Sequence, residues 1–331
     1  MGWAATRTPS QTTCACVCAL GLMLYAVGAQ AAEGLVLEAR IPLGPVGGRI
    51  DHLAVDLAGK RLFVAELGND SVGVVDIEQA KVAAGIAGLA EPQGVGYEPS
   101  TDTLYVANAR DGSVRLFDGK TLAPSGRIDL KQDADNVRIR GDRVVVGYGE
   151  GALAVIDPRD RAKKAVIELG GHPEGFQLDA SGQRAFVNVP DRGEVAVVDI
   201  QSGRRAASWR TGEFRATFPM AYGGDPAGLA IVARKPATLL RYGLDGSLLW
   251  RKATCGDADD VFYDARRRRF YVSCGEGFVD VQPDDPNVAP ARIATSKGAR
   301  TSLFVPETDR LYVASPASGG QAELLVFRPA P

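Results

Sequence analysis

Only two histidines occur in the chain, and each stands among charged or polar neighbours, as Arg49-Ile50-Asp51-His52 and His172-Pro173-Glu174-Gly175. An imidazole beside a carboxylate can accept a proton, ligate a metal ion or orient a polar ligand. Other short polar clusters stand just ahead of apolar runs in the same way. They are Glu91 with Gln93; Asp133, Asp135 and Asn136; Arg215, Thr217 and Phe218; Asp257, Asp259 and Asp260; and Arg300, Thr301 and Ser302. Arginines in such a set can hold a carboxylate or phosphate through a fork of N–H donors. Each residue alone also has an ordinary explanation, because Asp and Asn satisfy free backbone N–H groups in turns. Chemistry requires that the fold bring the clusters together.

The elements that would do so are repeats. A strand, a turn with Asp, Gly or Ser, and a second strand with an aromatic-Val or Val-Val pair recur along the chain. A third strand follows, often ending Val-x-Asp or Ile-Asp, as in HLAVD with RLFVAELGNDSVGVVDI, or GVGYE with TLYVANARDGSVRLFD. The first apolar residues of the copies are Leu53, Val95, Val137, Phe176, Met220, Val261 and Leu303, at spacings of 42, 42, 39, 44, 41 and 42. Seven units of this length, with no helical periodicity and with 39 glycines and 19 prolines as punctuation, predict an all-β fold. The architecture expected is a seven-bladed β-propeller with four antiparallel strands per blade. The seventh copy ends after its third strand, whereas the segment 35–43, LVLEARIPL, resembles a fourth strand. The N-terminal strand is therefore expected to complete the last blade and close the ring, leaving no exposed sheet edge between the first and last blades.

Units such as RLFVAELGNDSVGVVDI and TLYVANARDGSVRLFDGKTL resemble the YVTN-type repeat of YncE-like periplasmic and surface-layer propeller proteins. The resemblance spans nearly the whole chain beyond residue 31 and implies a scaffold used for binding and, less often, for catalysis. The fifth copy departs from it, with ARKPAT in place of an Asn-rich turn.

In a four-stranded antiparallel blade, the loop entering the inner strand shares a face with the loop between the second and third strands. The polar clusters above are the entry loops, so a propeller gathers them around one mouth of its central channel. The ligand-binding residues expected there are Arg49, Asp51, His52, Glu91, Gln93, Asp135, Asn136, His172, Glu174, Arg215, Asp259, Asp260, Arg300 and Thr301. The first functional reading is a binding or interaction protein taking a small solute or a partner segment at this mouth. The alternative is a metal-assisted hydrolase or lyase, lactonase-like in arrangement only. In it His52, His172 and Glu174 would hold a divalent cation and Asp259 or Asp260 would act as base. No nucleophile or cofactor motif singles out a catalytic residue.

Composition bounds the rest. Residues 1–31 read as a signal peptide, with Arg7, an uncharged run from Cys14 to Ala29 and an Ala29-Gln30-Ala31 cleavage site. Residues 32–331 would then be one exported propeller domain, periplasmic or secreted, monomeric, with no membrane span after cleavage. Loss of Arg7 moves the formal charge from −2 to −3, which argues against a nucleic-acid partner. Arg266-Arg267-Arg268-Arg269 reads as a solvated hairpin turn. Cys255 and Cys274 are expected to pair in an oxidising compartment. Gly147–Gly151, GYGEG, precedes a strand and is a turn rather than a dinucleotide loop, and Trp209 and Trp250 are expected to pack at the blade periphery.

Overall fold

The second strand of each repeat is a nearly continuous apolar run, such as Leu62-Phe63-Val64-Ala65, and all four of these residues are fully buried. Such a strand must be covered on both faces. In the computed structural model, which describes residues 1–4, 34–317 and 320–331, the covering comes from neighbouring sheets. Seven apolar clusters fill the seven interfaces between blades. Between blades 1 and 2, for example, Phe63, Val72 and Val74 meet Val95, Leu104 and Val106. Burying each such side chain stabilises the fold by about 1.5–3 kcal/mol. Fourth strands, such as Lys81–Ile86, form the exposed periphery.

The described residues form seven four-stranded antiparallel sheets, six of them with strands in simple chain order. The seventh joins Thr301–Val305, Arg310–Ser315, Ala322–Pro329 and the N-terminal strand Leu35–Gly44. Leu37 stands opposite Phe327 and Ile41 opposite Leu324, so the expected closure is present. All seven anchor residues of the repeat lie on innermost strands. The recurrent Asp at the end of the third strand caps the turn into the fourth. Asp76 accepts from the Gln79 N–H at 2.8 Å, Asp118 from Thr121 at 2.7 Å and Asp199 from Ser202 at 2.7 Å.

Cys255 and Cys274 are disulfide-bonded, with Cα atoms 5.8 Å apart, tying the entry of blade 6 to its own second strand. Gly149-Glu150-Gly151 is a turn between strands, and Trp209 packs on Phe186 and Trp250 on Phe270. The arginine run does span a hairpin turn, but only Arg266 and Arg268 are exposed. Arg267 forks onto Asp309 with two bonds of 2.7 Å, and Arg269 is buried, donating to the Tyr271 hydroxyl and the Ala330 carbonyl. The run is thus half structural, because Arg267 in the turn and Arg269 at the start of the second strand both reach the next blade. The expected signal peptide lies, apart from residues 1–4, outside the described residues. No helix among the described residues is long and apolar enough to cross a membrane.

Candidate functional site

The inner strands enclose an axial cavity of about 400 Å³, to which every blade contributes. On the entry-loop side it continues into a polar vestibule of about 250 Å³ bordered by Arg49, Gln93, Asp133, Asp135, His172, Glu174, Phe218, Arg234, Asp259 and Arg300. Arg49, Asp135, Glu174, Phe218 and Asp259 border both spaces and form the layer between them.

Local backbone irregularity sets this layer. The pairing of inner and second strands slips between Pro92 and Val95, Ala134 and Val137, Thr217 and Met220, and Ala258 and Asp260. A bulge inserts a residue and resets the alternation of side chains. Consecutive residues therefore both reach the channel, Asp135 with Asn136 and Asp259 with Asp260. Two glycines let adjacent entries touch. A Cβ on Gly94 would lie 2.0 Å from the Asp135 carbonyl oxygen, and one on Gly175 2.3 Å from that of Phe218. Blade-to-blade bonds hold the rim in register. The Gly175 N–H donates to the Phe218 carbonyl (2.9 Å), the Ser302 N–H to the Asp260 carboxylate (2.8 Å) and the Thr301 hydroxyl to the Ile50 carbonyl (3.3 Å).

Ion pairs then divide the charges. Arg49 Nη2 donates to Asp51 Oδ2 at 2.7 Å. Arg234 Nη2 donates to Asp259 Oδ1 at 2.7 Å, and its guanidinium lies 4.3 Å from the centre of the Phe218 ring. Arg300 Nε stands 3.1 Å from Asp259 Oδ2, and Asp257 pairs with both Arg234 and Arg300 at 3.1 Å. Asp257 holds this bridging position with φ 57°, in the left-handed region that non-glycine residues seldom adopt. The His52 imidazole sits between Asp51, 3.8 Å from Nε2, and Asp260, 3.7 Å from Nδ1. Gln93 donates its amide to Asp133 at 2.9 Å.

Burial dominates the titration of these groups. It pushes the Asp51 carboxyl up to about 6 despite the opposing fields of Arg49 and Arg300. Burial likewise takes Glu174 to about 7, with the charge of Asp259 adding to it and His172, Arg234 and Arg49 opposing. Asp135 and Asp260 stand well above the ordinary carboxylate range, through burial and, for Asp135, the neighbouring charges of Asp51 and Glu174. Burial and the nearby Arg138 hold the His52 imidazole down to about 4, so it is neutral at pH 7.

Eleven expected ligand residues border the two cavities: Arg49, Asp51, His52, Gln93, Asp135, Asn136, His172, Glu174, Asp259, Asp260 and Arg300. Three do not. Glu91 pairs outside with Arg110 at 3.2 Å, Arg215 turns back onto the carbonyls of Gly212 and Phe214, and Thr301 is buried between blades 7 and 1. Two arginines outside the expected set complete the site, Arg138 on the inner strand of blade 3 and Arg234 at the end of the second strand of blade 5. Arg234 lies in the divergent ARKPAT segment, on the face that second-to-third-strand loops share with the entries, and that divergence is its signal. His52 borders the inner cavity and His172 the vestibule, where His172 Nδ1 is 2.6 Å from the Gly149 carbonyl oxygen. Among the described residues no group of three or more His, Cys, Asp or Glu is arranged to hold a metal ion, so His52, His172 and Glu174 do not converge as a ligand trio.

No protein-family model matches the chain, and no curated protein sequence does. Among solved structures the chain is similar to one of Kuenenia stuttgartiensis hydrazine synthase, with a TM-score of 0.69 at 18% identity. The alignment covers 86% of this chain and 96% of that one. At that identity the likeness extends to the propeller fold alone.

Proposed function

We propose that this protein is an exported, YncE-like propeller that binds a small polar ligand at the mouth of its channel. The observation that carries the reading is a set of charged side chains, Asp51, Asp135, Asp259 and Asp260 among them, drawn from three blades and removed from water around open space. Burying carboxyl groups costs stability, and apolar residues would close a ring more cheaply. Groups held at such a cost with raised pKa values mark functional sites more often than structural ones. The disulfide and the N-terminal leader-like sequence support export. A thermal-shift screen of small solutes on the purified protein tests the reading. A ligand-dependent rise in melting temperature, lost in Arg49→Ala and Glu174→Gln, is expected; a screen with no response sensitive to either substitution overturns it.

One observation favours a second reading, hydrolysis or elimination at the same mouth. The Glu174 carboxyl at about 7 is poised to exchange a proton near neutral pH. A metal-assisted form would draw its ligands from His52, His172 and Glu174 and would have to bring them closer together. Metal analysis of the purified protein, with His52→Ala and His172→Ala beside it, tests that form; metal content unchanged by both substitutions rejects it.

A further inference from the structure

We infer that the ligand of this mouth is a small organic cation, a primary amine or guanidino compound, received between Asp135 and Glu174; this rests on the mouth being a ligand site. Charge supplies the first argument. Six carboxyl groups and four guanidinium groups border the two cavities. The guanidinium groups are engaged elsewhere: Arg49 with Asp51, Arg234 and Arg300 with Asp257 and Asp259, Arg138 with the carbonyls of Val137 and Phe176. Among the described residues neither Asp135 nor Glu174 takes part in an ion pair. An anionic ligand would meet those two unpaired carboxyl groups beside arginines already bound to other acids or to carbonyls, whereas a cation pairs with both and favours their ionised forms.

Hydrogen bonding supplies an independent argument. Asn136 is 3% exposed and borders the inner cavity, and its Oδ1 has no hydrogen-bond partner. Its amide nitrogen donates to Asp135 Oδ2 at 3.2 Å, which fixes the orientation of the group and leaves the oxygen as a buried acceptor without a donor. A ligand rich in N–H groups meets the carboxylates directly, and a shift of the Asn136 amide brings that oxygen to it as well. The Phe218 ring borders both cavities and already carries the Arg234 guanidinium, so its face is suited to a cation or to the alkyl chain behind one. A bare divalent ion fits less well, because no three ligand side chains converge among the described residues.

The test is calorimetric titration and thermal shift of the purified protein at pH 8 with butylamine, putrescine and agmatine. Butyrate, butanol and calcium chloride serve as comparison probes at matched ionic strength. Saturable binding of at least one amine is expected, weakened ~10-fold or more by Asp135→Asn and by Glu174→Gln, as loss of a charge-assisted hydrogen bond predicts. Glu91→Gln, outside the site, should bind as the parent does. If butyrate, butanol or calcium elicits the mouth-dependent response and the amines do not, the organic-cation assignment is wrong while the mouth remains a ligand site. If neither these probes nor the wider solute screen gives a mouth-dependent response, both fall.

Discussion

Replacing Glu174 by Gln should make the protein more stable in alkaline solution and leave it nearly unchanged in mild acid. The carboxyl ordinarily titrates near 4.5 and is pushed up to about 7 in the folded protein, chiefly by burial. Between those values the folded state keeps a proton that the unfolded chain has lost, so stability falls as pH rises through the interval. Above it the folded state bears the full cost of the buried charge. At about 1.4 kcal/mol per pH unit the ceiling is ~3 kcal/mol. Partial exposure to the vestibule and the shared field of Asp259 reduce the expectation to on the order of 1–2 kcal/mol. Gln keeps the shape and removes the charge. Paired thermal melts of parent and Glu174→Gln from pH 5 to pH 8 read the effect directly, with a gap of about 2–6 °C expected at pH 8 that shrinks to almost nothing by about pH 5. A variant that is less stable at both ends, or a gap independent of pH, would refute the picture of a carboxylate held against its own solvation.

Three further outcomes follow from the fold. Cys255→Ser with Cys274→Ser should lower stability by ~3 kcal/mol on the loop-entropy model, and denaturant unfolding with and without reductant should show the same loss for the parent alone. Ile41→Ala, at a position 1% exposed in the closing strand, should cost about 2–5 kcal/mol by urea unfolding. Gly94→Ala should destabilise through collision with the Asp135 backbone and also weaken ligand binding, because that backbone carries a site residue. Equal ligand affinity in a folded Gly94→Ala variant would show that the contact does not position Asp135.

The ring was legible because its period and its paired apolar runs are local signals repeated seven times, with turn-capping aspartates ending the third strands of the first four copies. The mouth was legible by topology, since antiparallel order alone places every entry loop on one face. Individual side-chain directions were not. Simple alternation cannot tell that Asp259 and Asp260 both face inward while Glu91 faces out to Arg110, because bulges at the entries break the two-residue period. Arg138 and Arg234 escaped notice for a different reason: both sit within strands rather than ahead of them, where a lone arginine reads as a surface residue. The separation of His52 from His172 follows from the register, since His52 stands one residue ahead of its anchor Leu53 and His172 four ahead of Phe176.

The pairing of Leu35–Gly44 with Ala322–Pro329 also orders events in time. Six sheets draw all their strands from nearby sequence and can assemble while the polypeptide is still being delivered. The seventh needs material from both extremities, so the circle stays an open arc until the last stretch arrives. Removing Leu35–Gly44 should thus leave the last blade one strand short, with Val326 and Phe327 bare, and a short peptide matching that strand should mend it.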